Sequence, residues 1–159
     1  MAEKIKNILH ALIPGEEIDD PEITKHQRLT ITKLGMDGLD DMFEYSKNSI
    51  FFRNLNLKEH KSKKDTERYL LELIRRTKEG YAGGEAMYWF IRIKPSNRVI
   101  GTFGFINLNE REKSGQIGKG LSPNYWGKGY VYELLGIILT FAFKTANLDY
   151  LYSLTQRTN

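Results

Sequence analysis

The sequence contains no cysteine. This removes a disulfide framework, a thiolate zinc site and a thiol nucleophile from the functions open to it. It is compatible with a reducing cytoplasm, the compartment expected here. Histidine is nearly as scarce. His10, His26 and His60 stand far apart without metal-ligand spacing, so no metal is expected. No apolar run approaches the ~20 residues that cross a bilayer, and no membrane partner is expected. The start, Met1-Ala2-Glu3-Lys4-Ile5-Lys6, leads into no long uncharged core, which argues against a secretory signal. There is no internal repeat and no low-complexity tract.

What is present is a chain of 159 residues, long enough for one domain with a core, with the 40% hydrophobic and 28% charged residues of a soluble globular protein. The net charge of +4 is mildly basic and disfavours a dedicated nucleic-acid binder. Lys58, Lys61, Lys63, Lys64 and Arg68 form the densest basic cluster, interrupted by Glu59, Asp65 and Glu67. It reads as a solvated loop and helix start, or as a surface that attracts an anionic substrate.

Residues 1–25 read as a leader. Ile5, Ile8, Leu9, Leu12 and Ile13 recur at helical spacing, Pro14-Gly15 stops that helix, and an acidic linker containing Pro21 follows. Arg28-Leu29-Thr30-Ile31-Thr32-Lys33-Leu34 alternates as a half-buried strand does. Asp37 is placed to cap a helix carrying Leu39, Met42, Phe43 and Tyr45. Ser62 or Asp65 starts a second helix with Tyr69, Leu70, Leu73 and Ile74 on one face, ended by Gly80 and Gly83-Gly84. Residues 87–93 and 99–106 read as a hairpin turning through Lys94-Pro95-Ser96-Asn97-Arg98. Gly101 and Gly104 mark a bulge or a close approach within its second strand. Residues 115–121 form another strand, a helix from Lys128 buries Val131, Leu134, Leu135, Ile138 and Ala142, and residues 149–155 form a last strand. The strand–helix–strand end argues for a parallel pair in an otherwise antiparallel sheet.

The most informative stretch is Leu121-Ser122-Pro123-Asn124-Tyr125-Trp126-Gly127-Lys128-Gly129-Tyr130-Val131-Tyr132-Glu133. Gly127 and Gly129 flank a lysine where the last helix begins. Such a turn leaves backbone N–H groups unpaired at the helix start, and with the helix dipole they make a phosphate site. Trp126 reads as a buried anchor for this loop. Glu133 either faces the site or caps the helix N–H groups, the capping role being favoured.

The element order and the turn Pro123-Asn124-Tyr125-Trp126-Gly127-Lys128-Gly129-Tyr130 resemble the GNAT superfamily of acyl-CoA-dependent N-acetyltransferases. The family's phosphate loop has Gln or Arg, two residues, Gly, one residue, then Gly or Ala. Trp126, Gly129 and Val131 stand at those positions, and Trp126 departs from the pattern. Tyr-Trp-Gly-Lys-Gly-Tyr followed by Glu133 looks like the subgroup that includes the ribosomal-protein N-terminal acetyltransferases. Ile117-Gly118 with Leu121-Ser122-Pro123, and Val99-Ile100-Gly101 with Gly104, are further matches. The resemblance makes residues 26–159 a GNAT-like domain. It implies an α/β (α+β) acyl-CoA N-acyltransferase fold, a mixed, mostly antiparallel central sheet flanked by helices on both faces. The chain stops at Thr158-Asn159, so the fold is expected to be truncated after the fifth strand. The incomplete sheet edge favours a homodimer.

The resemblance further implies acetyl-CoA as cosubstrate. Its pyrophosphate would lie on the amides of Gly127, Lys128, Gly129, Tyr130 and Val131. Its pantetheine arm would pair with Lys119-Gly120-Leu121 where that strand splays from residues 149–155, and Asn159 would contact the cofactor. A backbone N–H near Leu121 would stabilise the oxyanion. The subgroup often has Glu where this chain has Gln116, and Gln cannot take a proton. The base then falls to Glu110 or Glu112, or to a water chain held by Gln116. Tyr45, Phe51, Phe52 and Arg53 fall where the family's first helices border the acceptor cleft, although packing explains most of them equally well. Tyr88, Trp89 and Phe90 read as core. The implied function is acetyl transfer to a primary amine, either a protein N-terminus, an amino sugar or a small amine, by direct attack in a ternary complex. The alternatives are a non-catalytic CoA-binding or interaction module and, less favoured, an RNA binder using residues 58–68. A nucleoside triphosphatase is not expected, because the Gly-x-x-x-x-Gly-Lys-Ser/Thr pattern is absent and Lys128-Gly129 is followed by Tyr130.

Overall fold

The computed structural model describes residues 28–154, apart from positions 54, 56, 80–84 and 110. The leader and linker, Glu110, Asn159 and the glycines expected to end the second helix lie outside the described residues. The chain runs β1 (Leu29–Lys33), a 3-10 turn (Met36–Gly38), α1 (Leu39–Ser46), the short α2 (Ser49–Phe52), α3 (Lys63–Glu79), β2 (Glu85–Ile93), β3 (Arg98–Asn109), β4 (Ser114–Leu121), a second 3-10 turn (Pro123–Tyr125), α4 (Tyr130–Thr140), a π turn (Phe141–Thr145) and β5 (Tyr150–Tyr152). The strands form one sheet in the order β1-β2-β3-β4-β5. Every neighbouring pair is antiparallel except β4–β5.

Local chemistry explains the helix starts, with one correction. Ser62 and Asp65 act together: the Asp65 carboxylate accepts from the Ser62 amide at 2.9 Å and hydroxyl at 2.8 Å, while the Asp65 amide donates to Ser62 Oγ at 3.3 Å. This reciprocal cap explains why α3 begins at Lys63. Asp37 caps nothing. The chain first winds a 3-10 turn, and α1 starts after Gly38 with no side-chain cap. Asp37 is drawn instead to Arg92, a guanidinium buried in β2 that also donates to Thr32 Oγ1 and the Asn97 carbonyl, each at 2.9 Å. A buried cation needs a counter-charge more than a helix start needs one cap.

The sheet alternation sends residues to two cores. Trp89, Ile91, Phe103, Phe105, Ile117 and Leu121 pack under α4 with Leu134, Ile137 and Ile138. Phe90 and Val99 pack on the opposite face with Leu39, Met42 and Tyr45 of α1 and Leu70 and Leu73 of α3. The helical phase on α4 differs slightly from expectation: Ile137 is buried, whereas Val131 and Leu135 are half-buried. The glycines of β3 serve close strand packing. A Cβ at Gly101 would stand 2.3 Å from the Gly120 carbonyl oxygen, and one at Gly104 would stand 2.6 Å from that of Met87.

The arrangement that matters for a site lies at β4. β5 pairs with it only at Ser114, Gly115 and Gln116. Ser153 Oγ still reaches the Ile117 carbonyl at 3.2 Å. From Gly118 to Leu121 no strand follows on that side among the described residues. One strand edge is thus left open, leading straight to the loop before α4.

Candidate active site

The loop from β4 to α4 owes its shape to two left-handed glycines. Gly127 has φ 71° and Gly129 φ 79°, values that cost a residue with a side chain about 1–2 kcal/mol. Space around them is open. A Cβ at Gly127 would meet nothing within 4 Å, and one at Gly129 only Arg28 Nη2, at 3.5 Å. The loop closes on itself through Tyr125 N–H to Ser122 O at 2.9 Å and Trp126 N–H to Pro123 O at 3.1 Å, and Glu133 N–H reaches Gly129 O at 3.1 Å. The amides of residues 127–132 meet no acceptor among the described residues. They stand at the positive end of the α4 dipole.

Two side chains of this loop behave differently from expectation. Trp126 is 45% exposed, not buried. Its indole Nε1 donates to the Leu121 carbonyl at 2.7 Å, so a hydrogen bond rather than burial anchors the turn. Glu133 caps no amide of its own helix. Its Oε1 accepts from the amides of Arg28 at 2.5 Å and Leu29 at 3.1 Å, and its Oε2 from Arg28 Nε at 2.9 Å. β1 is an edge strand among the described residues, where these amides meet no further strand and take the carboxylate instead. Lys128 turns back over the 3-10 turn and donates to the Asn124 carbonyl at 2.8 Å.

Along β4, Gln116, Gly118 and Gly120 point to the same face, towards α1 and α2. The glycines leave a floor of bare backbone. Above Gly118 only Ile106 Cδ1 comes near, 3.3 Å from a built Cβ, and Phe51 Cζ lies 2.7 Å from one at Gly120. Gln116 holds its side chain in place by accepting from Asn107 Nδ2 at 3.1 Å. Of the expected cleft residues, Tyr45 and Phe52 are buried and Phe51 is half-buried against Gly120. Arg53 is exposed. An aromatic chain runs Tyr45–Phe51 (4.9 Å between centroids), Phe51–Phe52 (4.8 Å), Phe52–His60 (5.5 Å) and His60–Tyr69 (5.4 Å). The Tyr45 hydroxyl is buried with no well-formed hydrogen bond among the described residues, and burial pushes its pKa far above the usual phenol range against a smaller lowering by the Thr102 side chain.

The candidate residues divide into groups. Gly120, Leu121, Trp126, Gly127, Lys128, Gly129, Tyr130 and Val131 come together at the C-terminal end of β4 and the start of α4. Gln116 stands further back along the same strand. Glu112 lies in the turn before β4, at the far end of a strand that rises about 23 Å from Ser114 to Leu121 at about 3.3 Å per residue, and its Oε2 accepts from the Tyr150 hydroxyl at 3.0 Å. Arg28 is the residue that sequence reasoning missed. It reads as the first position of a strand, and nothing local signals a partner more than a hundred positions away. Among the described residues no cluster of His, Cys, Asp and Glu could hold a metal ion, and no helix is long and apolar enough to cross a membrane.

A helix start with free amides, fed by a splayed strand in a mixed sheet, defines an acyl-CoA N-acyltransferase architecture. The acetyltransferase (GNAT) domain model matches residues 28–159. The chain belongs to the GNAT acetyltransferase family. It is 24% identical over 123 residues to the uncharacterized N-acetyltransferase p20 of Bacillus licheniformis, a match covering 77% of this chain and 67% of that protein. A GNAT-family acetyltransferase from Bacillus anthracis shares the fold at a TM-score of 0.69 and 20% identity, over 84% of this chain and 73% of that one. The spermidine N-acetyltransferase of Vibrio cholerae, solved with CoA and spermine, superposes at a TM-score of 0.63 and 20% identity, over 80% and 71% respectively. Membership of this family implies acetyl transfer from acetyl-CoA.

Proposed function

We propose that this chain transfers the acetyl group of acetyl-CoA to a primary amine, either a protein N-terminus, an amino sugar or a small amine. The observation that carries the reading is the set of amides at residues 127–132 that meet no acceptor among the described residues, on open left-handed glycines at the start of α4. A diphosphate has the charge and acceptor oxygens that such a set lacks. The open edge of β4 beyond Gly118 suits the amides of a pantetheine arm, which would continue the sheet as a short strand. The amine nitrogen would attack the thioester carbonyl directly. The carbon–sulfur bond breaks, the thiolate leaves and collects a proton, and the amine's surplus proton passes to solvent. An edge amide near Leu121 would hold the oxyanion. Gln116 is assigned the placing of the water that receives the proton, because it shares the glycine-floored face and Asn107 fixes its oxygen. Glu112 is the less well placed candidate for this step, being bonded to Tyr150 at the far end of the strand. An amine acceptor is supported by the neighbour solved with spermine.

Calorimetry with CoA tests the loop, and free-thiol release across an amine panel tests turnover. CoA binding by the wild type and its loss in Gly129→Glu are expected. The absence of a carboxylate at Gln116 favours one second reading, a CoA-binding module without catalysis. Tight CoA binding with no thiol release from any amine would select it.

A further inference from the structure

Arg28, at the start of β1, reaches the loop before α4 from outside it. Its Nε donates to Glu133 Oε2 at 2.9 Å, its Nη1 donates to the Lys128 carbonyl at 3.0 Å, and its guanidinium carbon sits 4.1 Å from the centre of the Tyr130 ring. Tyr130 in turn packs edge-on against Tyr125 at 5.8 Å, so the guanidinium is wedged between helix start and loop. Glu133 fixes its other side and also grips the Arg28 and Leu29 amides.

The bond to Lys128 O has a geometric consequence. A peptide is planar and trans, so its carbonyl and its N–H point in opposite directions. Drawing the Lys128 carbonyl towards Arg28 turns the Gly129 amide away from Arg28. Gly129 itself does not enforce that orientation, because glycine tolerates either sign of φ. The peptide could rotate at little cost, replacing an N–H donor with a carbonyl oxygen in the surface offered to a diphosphate. We infer that Arg28 is a positioning residue. It locks the Lys128–Gly129 peptide so that the Gly129 amide faces the diphosphate of the acyl carrier, and Glu133 holds Arg28 in register. The inference rests on the proposed reading of the loop.

A lysine would not substitute. The arrangement needs Nε on the carboxylate and Nη1 on the carbonyl at once, which a planar fork supplies and a single ammonium does not. The role therefore separates from that of bare charge and from that of a strut between β1 and α4. The test uses Arg28→Lys and Arg28→Gln in the full chain, with CoA as the probe. Calorimetry gives affinity, the amide spectrum reports both folding and the Gly129 N–H, and thermal melting gives stability. Both variants are expected to bind CoA at least about tenfold more weakly. The downfield shift of the Gly129 amide on CoA addition, present in the wild type, should vanish in both. CoA affinity within twofold of wild type in Arg28→Lys would overturn the positioning role, as would a lowered melting temperature in both variants with CoA affinity unchanged. A wild type that binds no CoA would instead remove the reading of the loop, and this assignment with it.

Discussion

One added methyl group is expected to stabilise the protein at Gly136 and to destabilise it at Gly129. Gly136 lies in the middle of α4, exposed, and a Cβ there would meet nothing within 4 Å. The substitution adds no clash and removes backbone freedom from the unfolded chain, so Gly136→Ala should gain about 1 kcal/mol. For a chain of this size that raises the melting temperature by about 2–4 °C. Gly129 has equally ordinary contacts, its Cβ position lying 3.5 Å from Arg28 Nη2, but its φ is 79°. Alanine must be forced into the left-handed region at about 1–2 kcal/mol, a fall of about 2–8 °C. The two sites stand roughly 10 Å apart along the helix, so the double variant should show the sum of the single effects. Calorimetric melts of the two single variants and the double variant measure this, with CoA titration alongside. Gly136→Ala should bind CoA as the wild type does. Two shifts of the same sign, or no change at Gly129, would show that backbone conformation does not explain the glycines of this loop.

Other substitutions probe the acceptor face and the core. Gly120→Val should cut thiol release by about tenfold or more, because its side chain must displace Phe51, 2.7 Å from the built Cβ; full activity would show that this face is not the reaction channel. His60 is held below its usual 6.5 by burial, with Nδ1 bonded to Thr66 Oγ1. The unfolded chain therefore takes up the proton first as pH falls, and stability should decline below about pH 6.5. Urea melts of His60→Gln should show a flatter decline than wild type between about pH 7 and pH 5; parallel curves would remove His60 as the cause. Asp37→Ala leaves the buried Arg92 with only neutral acceptors and should cost about 1–2 kcal/mol in urea unfolding, a modest figure because Asp37 itself is 69% exposed. An unchanged midpoint would mean that the two neutral acceptors suffice.

The sheet was legible because its signals are local. Alternation marked β1, the Pro–Asn turn marked the β2–β3 hairpin, and a strand–helix–strand end marked the parallel β4–β5 pair. The loop was legible for the same reason, since two glycines beside a helix start constrain their own backbone. Apart from the slight phase difference on α4, the departures concern partners chosen across the fold. Asp37 carries a local capping signal, and only the sheet reveals that Arg92 is buried within its reach. Trp126 looks like a core residue by type, yet β4 ends in a carbonyl that its indole can bond from the surface. Glu133 was assigned to its own helix because propensity rules see one helix at a time. The amides it takes belong to an edge strand brought alongside by the packing of β1 against the α4 core.

On the proposed reading, both ligand contacts fall to the main chain: amides at residues 127–132 for the diphosphate and the open edge of β4 for the arm. Backbone recognition asks little of side chains. It needs glycine where φ is positive, a strand edge left unpaired beside the ligand, and a few residues that hold peptides in orientation. A family built this way can share its fold at 20% identity while most side chains differ. The acceptor is then the variable part, set by what α1 and α2 place above the glycine floor. Here that is Phe51, tilted against the buried Tyr45. Four acidic groups of α1 and the start of α3 are engaged: Asp40 with Lys63, Asp41 with Arg98, Glu44 with Lys47 and Asp65 with Arg68. A polycationic acceptor would have to break those pairs, so thiol release should favour amines of low charge over spermine. A preference for spermine would mean that the ion pairs open on binding and that the aromatic ceiling does not set specificity.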